Sequence, residues 1–170
     1  MNFYDLTVPV FTRSLHQIGQ WLDKAAAHAT AKKFDVDTLV HARLAPDQYA
    51  LARQVQAACD AAKFTCARLT GKDAPSHPDT ETTIEQLRAR IRTVMAYLET
   101  FTPADFEGAA DRKITMPWAP GMHMRGTAYL VELQLPNFFF HCTTAYGILR
   151  HNGVDLGKRD FLGNIALEQG

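Results

Sequence analysis

Asn137 and His141 lie four residues apart in an apolar stretch, LPNFFFHCTTAYGILRHNG at 135–153. On a helix that spacing is about one turn, and both fall with Ala145, Ile148 and Leu149 on one side, where hydrocarbon is expected. An imidazole so placed has three possible uses. It is a core histidine satisfied by hydrogen bonds to neighbouring amides or a buried water, or it belongs to a pocket for a small polar ligand, or it binds a metal. The amide beside it argues against the third, because a neutral carbonyl oxygen is a weak ligand for Zn or Ni. Cys142 adjoins His141, but consecutive helical residues point roughly 100° apart, so adjacency makes no Cys–His couple. Tyr146 and Arg150, at i and i+4, read as a surface pair. No phosphate-binding glycine loop, dinucleotide fingerprint, H-E-x-x-H or G-x-S-x-G string occurs.

The elements that must position these residues are helices. Phe11, Leu15, Ile18, Leu22 and Ala25 recur at alternating three and four. Leu51, Val55, Ala58, Ala62, Thr65 and Leu69 do the same, as do Ile84, Leu87, Ile91, Val94, Leu98 and Phe101. Three such seams predict amphipathic helices near 8–32, 47–69 and 81–101. Asp47 reads as the N-cap of the second, and Asp37 as the cap of a short helix in 35–46. Gln54 neighbours the second seam, one turn before Ala58, with its amide pointing inward or along the rim. Pro136 suits a first helical turn and Gly153 a stop, so a helix runs from about 136 to 152. A helical piece from Thr127 meets it as one kinked helix or as two, giving a fourth element near 128–152.

Between the seams, GKDAPSHPDT is a loop with His77 exposed, and RKITMPWAPGMHMRG reads as a hairpin-like flap over 112–126 with Trp118 at its tip. The tail after Gly153 wraps the surface, with Phe161 and Leu162 as anchors. Together these predict an all-α protein, a four-helix bundle with a small β-hairpin-like flap before the last helix, in one domain over 1–170. Phe138, Phe139 and Phe140 cover three faces, so the last helix is buried nearly all round or shared with a partner subunit.

Of the 170 residues, 46% are hydrophobic and 21% charged, which excludes disorder, and 18 basic residues balance 18 acidic ones. A net charge of zero gives no field that favours nucleic acid. Three cysteines, an odd number, read as buried free thiols in a reducing compartment. No basic-then-apolar leader and no apolar run of spanning length are present, so the expectation is a cytoplasmic protein with no membrane partner.

The strings PNFFFHCTTAYGILRHNGVDLGKRDFLG and RLAPDQYALARQVQAACDAAK resemble an uncharacterised domain-of-unknown-function family within the DinB/YfiT-like superfamily of inferred metalloenzymes. The resemblance covers nearly the whole chain. It implies a four-helix bundle, often homodimeric, in which three histidines hold a divalent metal at one end of the core. One comes from the second helix, and two, spaced H-x-x-x-H, come from the last. A Leu-Arg pair follows the second of these, as Leu149 and Arg150 follow His141. Laid on this chain, the pattern puts Asn137 and His141 at the two last-helix positions and Gln54, or alternatively Gln56, at the helix-two position. Two of three ligands are then amides. The resemblance so modified implies a degenerate site at Gln54, Asn137 and His141 with no tightly bound metal or other cofactor, and a small-molecule ligand or an interaction role. The alternative is a metal-dependent transferase or hydrolase using Zn or Ni at that site.

Overall fold

The computed structural model describes residues 2–167. Four long helices, α1 (Val8–Lys32), α2 (Leu51–Thr70), α3 (Ile84–Leu98) and, after a short α4 (Gly126–Ala128) and a π-helical segment (Tyr129–Gln134), α5 (Leu135–His151), pack about one core. The short α6 (Lys158–Leu162) follows. Helix α2 packs on α3 and α5, and α1 packs on the same two, so the order around the core is α1, α3, α2, α5. The three seams supply that core: Phe11, Leu15, Leu22, Leu51, Val55, Leu69, Leu87 and Leu98 are all buried. Each such side chain contributes about 1.5–3 kcal/mol through removal from water, and the alternating spacing aligns those contributions along one face of each helix.

Helix starts and stops follow local chemistry. Thr83 and Gln86 form a capping box at the start of α3, and the Asp37 carboxylate accepts from the Ile84 N–H at 2.7 Å. Asp37 therefore caps α3, and the short 3-10 turn Val36–His41 is capped by Asp35. The expected Asp47 cap of α2 is also corrected. That helix begins at Leu51 with no side-chain cap, and the Leu51 N–H donates to the Ala42 carbonyl at 3.0 Å.

The connection from α3 to α5 crosses one end of the core. It holds two 3-10 turns and an antiparallel hairpin, β1 (Lys113–Ile114) with β2 (Met124–Arg125), which carries Trp118 on its loop. Gly126 opens the last helical run in a place where a Cβ would stand 1.8 Å from the Ala109 carbonyl oxygen. Only glycine lets these two backbones meet.

Pro136 lies in the first turn of α5, as expected. It sits inside a continuous helical run from Gly126 to His151. Having no N–H, and with a ring that crowds the carbonyl four residues back, it cannot join a regular ladder. The preceding turn widens instead, and the Leu135 N–H reaches the Leu130 carbonyl, five residues back. Among the three phenylalanines Phe138 is buried, Phe139 half-buried and Phe140 exposed. In the tail, Phe161 stacks on Trp21 with ring centroids 5.5 Å apart, whereas Leu162, expected as a second anchor, is exposed. Tyr146, expected at the surface, is half-buried beneath that tail and donates to the Leu156 carbonyl at 3.2 Å. Among the described residues no helix is long and apolar enough to cross a membrane.

Candidate functional site

Helix α2 carries two stripes. Beside its core seam, Arg53, Ala57, Asp60 and Ala61, Phe64 and Arg68 recur at helical spacing on a second face. On the last helical run, Gln134, Asn137 and His141 keep the same rhythm. The two stripes face one another across a cleft of about 410 Å³, with Trp118 of the flap as a further wall. That volume lies in the range of small-molecule sites.

A relay of hydrogen bonds sets the state of His141. The Gln54 amide nitrogen donates to the Tyr49 carbonyl at 3.2 Å, and its amide oxygen lies 2.8 Å from Nδ1 of His141. The Tyr49 carbonyl can only accept, which fixes the amide orientation. The Gln54 oxygen can only accept, which puts the imidazole proton on Nδ1. Nε2 then carries the lone pair. It takes no protein partner among the described residues and is not a buried orphan, so it is open to the cleft that His141 lines. Burial, followed by the charge of Arg53, holds the His141 pKa below the ordinary imidazole value. A neutral imidazole with a directed lone pair can accept a proton from a ligand's O–H or N–H.

Of the residues singled out from sequence, Gln54 and His141 are thus in direct contact. Asn137 lines the cleft beside His141, and its side chain bonds no protein group among the described residues. Gln54 itself is fully buried behind the imidazole and is not part of the cleft wall. Gln56 points elsewhere, donating to Glu81 at 2.8 Å.

Beside the cleft lies an ion network that hydropathy did not reveal. Lys63 and Arg90, each with a side chain only 1% exposed, both bond Asp60, at 2.9 and 2.8 Å. Arg90 also reaches Glu81 at 3.1 Å and Asp79 at 3.3 Å, and Arg53 pairs with Asp79. His77, expected in solvent, is half-buried, with Nδ1 3.0 Å from the Lys63 ammonium. An ammonium offers no lone pair, so His77 accepts and must be neutral. Burial first, then the charges of Lys63 and Arg90, push its pKa down. The second stripe of α2, whose period matches that of the seam, marked only Arg53 and Asp60 of this network.

The donor set differs from three histidines. His141 supplies one imidazole nitrogen, the Gln54 oxygen is engaged by the His141 Nδ1–H, and Asn137 offers a neutral amide. No group of three or more His, Cys, Asp or Glu side chains suited to a metal ion occurs among the described residues. Such a set is a poor fit to Zn or Ni. The thiols add nothing reactive: Cys59, Cys66 and Cys142 are free and buried, and burial pushes the first two up to about 12 and the third higher still.

The fold is DinB-like. A crystal structure of a DinB family member protein from Shewanella denitrificans is 50% identical in sequence to this chain, covers 98% of it and 95% of its own length, and superposes with a TM-score of 0.95. Residues 3–162 match the family model described as Domain of unknown function (DUF1993), and the chain belongs to that family. No curated protein matches it.

Proposed function

We propose that this protein binds a small polar ligand in the cleft between α2 and α5, and that the three-histidine metal site of DinB-like proteins is replaced here by the Gln54–His141 pair beside Asn137. The observation that carries the reading is the relay from the Tyr49 carbonyl through Gln54 to His141, which leaves the imidazole lone pair open to the cleft. The oxygen of Gln54 supports the imidazole rather than competing for a ligand. Metal analysis of the purified, tag-free protein tests the replacement: the expected result is far less than one Zn or Ni per chain, and stoichiometric metal would overturn it. Gln54→His with Asn137→His should create Zn or Ni affinity that the parent lacks.

One observation favours a second reading, a metal-dependent transferase or hydrolase: an imidazole held at Nδ1 by an oxygen is also how ligating histidines are supported. The same metal analysis separates the two. We further propose a homodimer in the cytoplasm. Exposed Val131 and Phe140 on the last helical run support the first part, and free buried thiols, which suit a reducing compartment, support the second.

A further inference from the structure

The cleft has a charge that its walls do not balance. In and beside it, Arg53, Lys63 and Arg90 face Asp60, Asp79 and Glu81, three cations to three carboxylates, each in at least one ion pair. Arg68 is the fourth cation. It lies on the same stripe of α2 one turn beyond Phe64, half-buried, and lines the cleft. Its one protein hydrogen bond among the described residues is to the neutral Tyr129 hydroxyl, at 3.1 Å, and its guanidinium lies 5.2 Å from the centroid of the Phe64 ring. No carboxylate pairs with it among the described residues, and its remaining donors are not buried orphans. A guanidinium held on an aromatic face and a hydroxyl, with its other donors open to a concave site, suits a planar or tetrahedral oxyanion.

The opposite wall asks for something different. His141 presents a lone pair rather than a proton, and the unengaged Asn137 amide beside it can donate or accept. Phe64, Ala57, Ala61 and Trp118 line the apolar space of the cleft. Gln54, which holds His141, and Arg68 lie fourteen residues apart on α2, about 21 Å of helix rise, so the two groups mark opposite ends of the cleft. We propose that the ligand carries an oxyanion, a carboxylate or phosphate, that takes Arg68 at one end of the cleft. This rests on the reading of the cleft as a ligand site and adds the ligand's chemical class.

The test is an NMR titration of the full chain with glycolate, glycolamide and inorganic phosphate, following the Arg68 side-chain N–H and the His141 ring nitrogens. Glycolate should shift the Arg68 N–H saturably and bind about tenfold or more tightly than glycolamide, the difference that one charge-assisted hydrogen bond supplies. Arg68→Gln should bring glycolate down to the level of glycolamide, and Arg68→Lys should restore part of the difference. Tighter binding of glycolate assigns a carboxylate, and tighter binding of phosphate assigns a phosphate ester. If glycolamide binds as well as glycolate with Arg68 unmoved, the anionic class is overturned while the ligand cleft stands. If no probe moves either residue, both readings fall, and that comparison needs no variant to fold.

Discussion

The carbonyl of Tyr49 decides which nitrogen of His141 carries the proton, although it never touches the ring. Nitrogen-15 NMR should accordingly find the Nδ1–H tautomer, and Gln54→Glu should raise the His141 pKa, since a carboxylate in the same place favours the imidazolium. Gln54→Leu leaves the buried His141 Nδ1–H without its partner, at a cost of about 1–3 kcal/mol in urea unfolding. His141 and His77 both have folded pKa values below the ordinary 6.5. As pH falls through that value, the unfolded chain takes up protons that the folded chain refuses. Stability should therefore be full above about pH 6.5 and decline below it, levelling off beneath the lowered folded values. His77→Ala should reduce the slope, measured as urea midpoint against pH.

At the scale of the helices, most of what the sequence predicted rested on period. Three seams at alternating three and four could be read because each repeats over several turns, and the last helix could be placed because its apolar run is long. Lys63 and Arg90 could not be read. A charged residue on a helix is assigned to solvent unless its partners are known, and Asp79, Glu81 and His77 belong to a loop far along the chain. Asn137 and His141 could be paired because one helix holds both. Arg68 belongs to the same cleft through a different helix, and the second stripe of α2 that carries it does not by itself say what that stripe faces. Arg90→Ala should cost about 3–5 kcal/mol, since it strands carboxylates that were paired against a buried cation, and added salt should change that cost little. The π-helical segment was also hidden, because Pro136 suits a first turn and equally an interruption, and the sequence left one helix or two open. Pro136→Ala restores the missing N–H, and a structure of that variant should show a regular α-helix through 129–134, with Gln134 turned away from Thr65, whose hydroxyl it meets at 3.2 Å.

For the whole molecule, the balance of one α-helical core and one covering flap makes two expectations. Light scattering at micromolar concentration should give twice the 19.0 kDa chain mass, and Phe140→Glu should return the monomer by placing a charge in the proposed contact. The chain's two tryptophans divide along the same line. Trp21 is 1% exposed and donates to the Asp160 carbonyl at 3.0 Å under the tail, whereas Trp118 is 71% exposed on the flap. The protein therefore carries two separable optical signals. Blue-edge emission from Trp21 should resist iodide quenching until the chain unfolds, while red-edge emission from Trp118 is quenched in the native state and should be shielded when the cleft is filled, so one spectrum can follow occupancy and unfolding independently.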